Sequence, residues 1–372
     1  MKILQLVYES QGSPFGFGGA GVRAQEIYRR LSLHHEITLL YMKYPNAQNK
    51  KEGNLNHIFL GTESHNIVKS VIAYTLKASN FIKRQGHEFD VIIENFLPCM
   101  PFCSPLLTKT PVILQVQGIM KKHVFSKYKF IYAFPMYITE KFYPKIFNKF
   151  MFVSPVTQKQ LLSEISKNNI TVYLIPNGID DRFLNAKPEE KNYILFFSRI
   201  DMYQKGIDIL LKAFDKIAPR YPDLKLVLAG YELDKTEKLL KEYAPKYCQR
   251  IEYAGFKSGD EKISLLSGAK IIVLPSRYES QPISVIEAAA CEKSVIVSNI
   301  PELKFVVDNG FGISFQTNSV NELEKKIEFM LNNDNIRKQM GLKGREFAKQ
   351  FTWDKISSEY EKALYDAVSL NK

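Results

Sequence analysis

The residues best suited to chemistry in this 372-residue chain are two glutamates on either side of one predicted helix start. Glu279 closes the segment 274–279, and Glu287 follows eight positions later. Pro282 lies between them and favours the first turn of a helix, where its missing N–H is not needed. Residues 280–284 would then present backbone N–H groups at the positive end of a helix dipole. Because carboxylates accept hydrogen bonds from sugar and ribose hydroxyls, this stretch predicts a site for a phosphorylated sugar ligand.

Two basic residues lie where an earlier predicted strand ends and the following predicted helix begins. The predicted strand 193–198 ends at Ser198-Arg199, and Lys205-Gly206 opens the next predicted helix. An arginine at the carboxyl end of a strand and a lysine at the start of the following helix both face the ligand-binding edge of a parallel sheet. Together they would hold a diphosphate, with the guanidinium making a bidentate contact. For either residue alone, a surface salt bridge is the competing interpretation.

A glycine-rich loop near the start of the chain has the formal pattern of a dinucleotide fingerprint. Gly16, Gly18 and Gly21 spell G-x-G-x-x-G, but residues 8–15 separate this loop from the first predicted strand. The second predicted strand, 36–42, also ends without the expected acid, so the pattern does not favour NAD or FAD. A glycine loop that feeds a helix remains a candidate anion site, with a loop that binds nothing as the alternative.

Short apolar runs alternate with helical patterns along the whole chain, which indicates parallel sheets built from strand–helix–strand units. The length exceeds what one hydrophobic core usually serves, so we expect two doubly wound α/β domains with a cleft between them. The predicted strands cover residues 2–8, 36–42, 90–95, 111–116, 150–154 and 171–175 in the first half, and 193–198, 224–229, 251–254, 270–274, 294–298 and 312–315 in the second.

The basic excess of the chain belongs to its first half. Residues 1–180 contain 21 lysines and arginines against 11 acidic residues, whereas 181–372 contain 30 against 28. Within the first half, residues 120–149 combine seven lysines and nine aromatic residues with one acid, Glu140. Such a mixture suits an anionic membrane surface, and an aromatic core with solvated lysines is the alternative. Nucleic acid is disfavoured as a partner because no nucleic-acid-binding module is visible.

The features that the sequence lacks give expectations about the compartment of the protein and about metals and cofactors. The N-terminal apolar run ends at Tyr8-Glu9, too short for a signal peptide, and no apolar segment of about 18 residues follows. We therefore expect a cytoplasmic protein, peripheral at the inner membrane face if residues 120–149 bind lipid. The four cysteines lack metal-ligand spacing and no Asp-x-Asp motif occurs, so no metal or other cofactor is expected.

The cations and carboxylates together resemble the hallmark motifs of a known family. Arg199-x5-Lys205-Gly206 and Glu279-x7-Glu287, followed by three alanines, are similar to those of retaining GT-B glycosyltransferases of family 4. The resemblance covers nearly the whole chain, because three further motifs match in order. These are the N-terminal glycine loop 18–23, the interdomain segment 176–180 and the start of the C-terminal helix at 351–353.

The resemblance implies a role for each matching residue. Arg199 and Lys205 would hold the donor diphosphate, Glu287 the ribose and Glu279 the donor sugar, while backbone groups complete the phosphate cradle and Gly255-Phe256 lies beside the base. Arg199, Lys205 and Glu279 are the implied catalytic residues. The implied donor-binding residues are Gly18, Gly19, Arg199, Lys205, Gly255, Phe256, Glu279, Gln281, Pro282, Ile283, Ser284 and Glu287.

Three positions depart from the family pattern. Ser280 and Pro282 replace frequent glycines, which changes the loop expected to touch the sugar. Gln117 stands where the family often has a histidine, and glutamine cannot take a proton. The nearby His123 is a candidate substitute, so the role of this position stays open.

The implied fold is GT-B, with two facing Rossmann-like domains and a cleft between them. The implied domains are an acceptor-binding domain, 1–180, a nucleotide-sugar-binding domain, 181–350, and a helix, 351–372, that crosses back to the first domain. The implied reaction moves a sugar from a UDP-, GDP- or ADP-sugar to a lipid-linked or growing glycan, with retention of anomeric configuration. A nucleotide-sugar epimerase on the same fold and a non-catalytic nucleotide-binding protein are the alternatives.

Overall fold

The computed structural model describes residues 1–232 and 234–370. The last two residues of the predicted segment 351–372 therefore lie outside the described residues. The chain forms two compact units: residues 1–177 together with the segment from Trp353 on, and residues 178–352. Each unit is built on its own predominantly parallel sheet.

The first unit contains an eight-stranded sheet in the order β3-β4-β2-β1-β5-β6-β7-β8. Only the short edge strand β3 runs antiparallel to its neighbour. The strands are β1 (Lys2–Leu6), β2 (Glu36–Met42), β3 (Lys50–Glu52), β4 (Leu55–Leu60), β5 (Val91–Asn95), β6 (Val112–Val116), β7 (Lys149–Phe152) and β8 (Thr171–Leu174). The helices before the second unit are α1 (Gly19–Leu31), α2 (Ile67–Gln85), α3 (Ser104–Leu107), α4 (His123–Lys127), α5 (Phe130–Phe142) and α6 (Pro155–Leu162).

The second unit contains a six-stranded parallel sheet in the order β11-β10-β9-β12-β13-β14. Its strands are β9 (Tyr193–Phe197), β10 (Lys225–Ala229), β11 (Ile251–Gly255), β12 (Ile271–Leu274), β13 (Val295–Ser298) and β14 (Gly312–Phe315). Its helices are α7 (Met202–Lys205), α8 (Ile207–Ile217), α9 (Thr236–Tyr243), α10 (Gly259–Gly268), α11 (Ile283–Ala290), α12 (Lys304–Asp308), α13 (Val320–Asn332) and α14 (Asp334–Ala348). The chain then returns to the first unit as α15 (Trp353–Ser369).

The two faces of the first sheet are covered by different helices. Alternate side chains of β1 point to opposite faces, and Leu4 shares a buried cluster with Tyr74 of α2. On the opposite face, Tyr28 of α1 donates to Gln5 Oε1 at 2.6 Å and lies 2.9 Å, oxygen to oxygen, from Tyr360 of α15. A hydrogen-bonded tyrosine pair thus fixes α15 on the α1 side, leaving α2 on the other.

Five elements of the first unit were not predicted from the sequence: the strands β3 and β4 and the helices α3, α4 and α5. The strands β3 and β4 form a hairpin in a region rich in Asn, His and Lys, and β3 is exposed along its whole length. The helix α5 contains Pro135 and an apolar run with exposed aromatic side chains, a pattern without the usual amphipathic period. These elements lack the buried apolar period on which such predictions rest.

Candidate functional site

Arg199 stands two residues beyond the end of β9, where a glycine allows a close backbone approach. Gly230 has φ +145°, and a Cβ there would come within 1.8 Å of the Ser198 carbonyl oxygen. The ends of β9 and β10 therefore lie side by side only because residue 230 has no side chain. The Arg199 guanidinium donates to Gln204 Oε1 at 3.2 Å, which directs it toward α7.

Lys205 is the last residue of the single-turn helix α7 and is held by a second close approach. Gly206 has φ +65°, and a Cβ there would lie 2.0 Å from the Pro275 carbonyl oxygen, so α7 is pressed against the loop after β12. The Lys205 ammonium bonds to Glu279 Oε1 at 2.5 Å, with the side chains only 8% and 6% exposed. Burial lowers the pKa of Lys205, and the nearby Arg199 charge acts in the same direction.

Glu279 therefore joins the two halves of the expected site. It accepts from Lys205 and, at 2.7 Å, from the Ser276 hydroxyl. The residue expected to bind phosphate and the residue expected to bind sugar hydroxyls are thus hydrogen-bonded to each other in this structure. A ligand with negative phosphates and hydroxyl donors complements such a pair, because it offers a new anion to Lys205 and new donors to Glu279.

Arg277 is a positioning residue that sequence reasoning missed. Its guanidinium makes a bidentate contact with Asp208, at 2.8 and 2.9 Å, and donates to the carbonyl of Tyr203 at 2.8 Å. Its backbone N–H donates to the Gln204 carbonyl at 2.8 Å. These bonds fasten α7 to the loop that carries Glu279. The sequence feature that could have indicated this contact is an Asp three residues after Lys205, in the first turn of the next helix.

The helix α11 begins one residue later than expected. Pro282 is its N-cap, outside the first turn, and Ile283 is its first residue. Pro282 has φ −71° and ψ 118°, an extended conformation that fits a residue with a fixed φ just before a helix. Because a proline side chain accepts no hydrogen bond, the first N–H groups of α11, from Ile283 and Ser284, have no side-chain cap. Gln281 precedes this cap and is partly exposed.

Glu287, in the second turn of α11, is half-satisfied: within the described residues, only one of its two carboxylate oxygens has a hydrogen-bond partner. Its Oε1 accepts from the Lys262 ammonium at 2.6 Å, while its buried Oε2 has no hydrogen-bond partner within residues 1–232 and 234–370. Lys262 was not identified from the sequence; its ammonium lies 5.0 Å from the Phe197 ring centre, beside the end of β9. A buried carboxylate oxygen without a donor is rare and needs an explanation, and a ligand hydroxyl would supply one.

Gly255, the last residue of β11, and Phe256, the next residue, lie at the same edge of the sheet. The Gly230 N–H donates to the Gly255 carbonyl at 3.0 Å, so the end of β11 adjoins the end of β10. Gly255 has φ +74°, a left-handed conformation that glycine adopts without strain. Phe256 is 58% exposed and offers an apolar ring to solvent. The structure thus brings the cations, both glutamates, the start of α11 and the end of β11 to the carboxyl ends of one sheet.

The predicted donor contacts Gly18 and Gly19 belong to the first unit. Gly18 is the N-cap of α1, and Gly19 is its exposed first residue. The backbone N–H groups of Gly18 and Gly21 donate to Glu9 Oε2 at 2.9 and 2.8 Å. A nearly buried carboxylate of the chain itself therefore occupies part of the expected anion site. Phosphate binding at Gly18 and Gly19 stays a prediction from the family resemblance.

Gln117 lies just past β6, beside a buried group of amides. Its Nε2 donates to Asn95 Oδ1 at 3.4 Å, and Gln115 Nε2 donates to the same oxygen at 2.5 Å. His123 is the first residue of α4. An amide can donate and accept hydrogen bonds but cannot take up a proton, so Gln117 cannot act as an acid or base.

Residues 120–149 form a surface rather than an aromatic core, and we call it the aromatic–basic surface. Six of its nine aromatic side chains are exposed, and Tyr143 and Phe147 are buried. Glu140 is buried and accepts from the backbone N–H groups of Met120 and Lys121 at 2.8 and 2.5 Å. The only acid of the segment thus turns inward, and its outer face presents lysines with aromatic rings. In the described part of the chain, no helix has both the length and the apolarity to cross a bilayer.

Two α/β units, each built on a predominantly parallel sheet, are the architecture of the GT-B glycosyltransferase fold. Residues 17–183 match the model for glycosyltransferase family 4, and residues 179–347 match the model for glycosyl transferases group 1. The chain belongs to this family, the group 1 or family 4 glycosyltransferases.

Known relatives and solved structures agree with this assignment. An uncharacterized glycosyltransferase of Methanocaldococcus jannaschii is 27% identical, covering 99% of this chain and all of the relative. A phosphatidyl-myo-inositol mannosyltransferase of Mycolicibacterium smegmatis is 26% identical over 52% of each chain. Sucrose-phosphate synthase from Thermosynechococcus elongatus shares the fold with a TM-score of 0.80, 19% identity and full coverage of both chains. HepE from Anabaena in complex with UDP-glucose has a TM-score of 0.75 and 16% identity, over 98% of this chain and 100% of that chain.

Proposed function

We propose that this glycosyltransferase moves a sugar from a UDP-, GDP- or ADP-sugar to a lipid-linked or growing glycan, with retention of anomeric configuration. The observation that carries the proposal is the buried Lys205–Glu279 pair beside Arg199, together with the half-satisfied Glu287. A nucleoside diphosphate sugar matches this set, because it offers a diphosphate to the cations and hydroxyls to the carboxylates.

On the donor side, each group has a distinct task. Arg199 and Lys205 bind the diphosphate, with the first N–H groups of α11 as further donors. Glu287 Oε2 accepts a hydrogen bond from a ribose hydroxyl, and Glu279 accepts from a sugar hydroxyl. The base lies beside Phe256. HepE from Anabaena, which has this fold, is described in complex with UDP and with UDP-glucose, and this supports the donor class.

In the transfer step, the bond between the anomeric carbon and the β-phosphate oxygen breaks, and the electron pair leaves with the nucleoside diphosphate. A new bond forms between the anomeric carbon and the oxygen of an acceptor hydroxyl, and the hydroxyl proton passes to the departing diphosphate. Negative charge grows on the departing phosphate, and Arg199 and Lys205 stabilise it there. These two fixed cations supply the charge that a divalent ion would otherwise provide, so we propose that no metal is needed.

Nucleotide release across a panel of sugar donors tests the proposed chemistry. Purified protein is incubated with UDP-, GDP- and ADP-sugars without acceptor, and the free nucleoside diphosphate is measured. We expect slow hydrolysis of donors with one base, lost in Arg199→Ala. Absence of both hydrolysis and nucleotide-induced thermal stabilisation for every donor would contradict the proposal. Interconversion of donor sugars without nucleotide release would indicate an epimerase instead.

For the acceptor side, we propose that the aromatic–basic surface binds anionic lipid and brings the enzyme to a lipid-linked acceptor. Its exposed rings and lysines, with Glu140 turned inward, have the composition of a membrane interface. One relative is named for the lipid acceptor phosphatidyl-myo-inositol, which supports this acceptor class. Flotation with anionic vesicles at low and high salt tests it: we expect binding that salt weakens, and no binding at low salt would refute it.

A further inference from the structure

Lys262 of α10 lies where three other elements of the second unit meet. Its ammonium donates to Glu287 Oε1 of α11 at 2.6 Å. The same ammonium lies 5.0 Å from the Phe197 ring centre and 5.5 Å from the Phe183 ring centre. Phe197 ends β9, Phe183 ends the short 3₁₀ helix Asp181–Phe183, and both rings are buried. One lysine therefore contacts three separate elements, and the buried carboxylate is only one of its partners.

The two aromatic rings attract the ammonium by cation–π interactions, which restrict where it can lie. The side chains of Lys262 and Glu287 are 20% and 6% exposed. Because this pair is largely withdrawn from water, the attraction between the two charges is only weakly screened. The rings therefore confine a side chain that would otherwise sample several rotamers, and the confined ammonium fixes the carboxylate of Glu287.

The fixed carboxylate has one oxygen to offer to a ligand. Glu287 Oε1 is engaged by Lys262, whereas the buried Oε2 has no hydrogen-bond partner in the described part of the chain. An ammonium is a compact charge that bonds to a single carboxylate oxygen, whereas the planar guanidinium of an arginine forms a fork across both oxygens. A lysine at position 262 thus anchors Glu287 and leaves Oε2 open to a hydroxyl donor.

We propose that Lys262 is the positioning residue of the ribose site: it holds Glu287 Oε1, presents Oε2 to a ribose hydroxyl, and so makes the enzyme select ribonucleotide donors over deoxyribonucleotide donors. This inference rests on the proposed function, in which Glu287 accepts from the ribose, and it adds the group on which that contact depends. Lys262 acts through Glu287 and contacts no reacting atom. A salt bridge that only supports folding is the competing explanation, and it would leave the choice between ribose and deoxyribose unaffected.

Isothermal titration calorimetry of the full-length protein tests the inference. UDP, GDP and ADP are titrated, each beside its 2′-deoxy and 3′-deoxy forms, and the ratio of the deoxy to the ribo dissociation constant measures ribose recognition. For the unmodified protein we expect a ratio of at least ~10 for one deoxy form, because a hydrogen bond to a charged acceptor is lost. In Lys262→Met the ratio should fall below about 3, mainly because the ribonucleotide binds more weakly.

Two further variants separate the position of the charge from its presence. Lys262→Arg keeps the charge, but its guanidinium can bridge both oxygens of Glu287, so we expect the ratio to fall in a folded protein. Phe183→Leu keeps Lys262 and removes one ring, and it should lower the ratio by about threefold. The matched control Lys304→Met removes a lysine that is 74% exposed and paired with Asp308, and it should keep the ratio. Circular dichroism of each variant confirms that it is folded.

The outcomes separate this inference from the proposal on which it rests. A normal ratio in folded Lys262→Met or Lys262→Arg, with loss in Glu287→Gln, would overturn the role of Lys262 and leave Glu287 as the ribose-binding group. Equal weakening of the ribo and deoxy forms in Lys262→Met would also overturn it, because a structural salt bridge predicts that result. An unmodified protein that binds nucleotides without distinguishing their deoxy forms would refute ribose binding by Glu287 and the inference with it. Absence of binding by every nucleotide would refute the proposed donor class as well.

Discussion

Arg199 and Glu279 are the residues that we propose to bind the two ends of the donor, and at the level of single residues we expect their replacement to be the most damaging change. Glu279→Ala leaves Lys205 buried without its carboxylate, and Arg199→Ala removes the guanidinium that we propose to bind the diphosphate. We expect each variant to lower kcat/KM by at least ~100-fold, because a positioned group is lost from the transition state. Steady-state kinetics with the hydrolysed donor measures this.

Matched surface residues provide the control for these two variants. Arg220→Ala and Glu237→Ala remove an arginine and a glutamate that form exposed ion pairs. Such pairs contribute little to stability, so both controls should keep near-normal kinetics. Near-normal turnover in Arg199→Ala or Glu279→Ala would contradict the assigned roles.

Glu94, fully buried in β5, makes stability depend on pH. Its carboxylate accepts from Tyr143 Oη at 2.5 Å and from the Ser104 hydroxyl, yet burial raises its pKa from 4.5 to about 7. Between these two values the unfolded chain loses the proton and the folded chain keeps it, so stability falls as pH rises. We expect a contribution of about 2–3 kcal/mol to be lost between pH 5 and pH 8.

The variant Glu94→Gln cannot ionise and should therefore have a flatter dependence of stability on pH. Urea unfolding at pH 5 and pH 8 measures the free energy of unfolding for both proteins. Glu36→Gln changes an exposed strand glutamate of the same unit and should retain the original slope. An unchanged slope in Glu94→Gln would show that Glu94 has an ordinary pKa.

At the level of elements, the start of α1 depends on Glu9. Its carboxylate accepts from the Gly18 and Gly21 N–H groups and, at 2.7 Å, from Tyr8 Oη. In Glu9→Ala these donors lose their shared acceptor, so we expect a loss of about 1–3 kcal/mol in stability. Hydrogen exchange should be faster at Gly18 and Gly21, whereas Glu26→Ala, within the same helix, should leave both rates unchanged. Unchanged protection at the two glycines would contradict the assigned contact.

Elements also differ in how far the sequence predicts them. The strand before Arg199 was predicted because β9 is an apolar run buried on both faces of a parallel sheet. The helix α5 was not predicted, because its apolar residues face outward and include Pro135. Among site residues, motif spacing identified Arg199 and Glu287. Lys262 and Arg277 were missed because their partners, Glu287 and Asp208, lie on helices that are distant along the chain, and spacing along the chain does not reveal such contacts.

For the whole molecule, we predict that activity does not require a divalent ion. In the proposed function, Arg199 and Lys205 would provide the positive charge that the leaving diphosphate needs. Donor hydrolysis should therefore change less than about twofold after treatment with EDTA. Loss of activity with EDTA that Mg²⁺ or Mn²⁺ restores would contradict this prediction.

The return of the chain to the first unit has a consequence for synthesis on the ribosome. Tyr360 of α15 bonds to Gln115 Oε1 at 3.0 Å and to Tyr28, yet residues 178–352 are made between these partners. At about 5–20 residues per second, the unfinished first unit waits roughly 10–35 s for its last helix. During that interval the surface that will receive α15 is uncovered, with Tyr28 and Gln5 among its residues. The nascent first unit therefore exposes a surface on which chaperones could bind until α15 has been made and has packed.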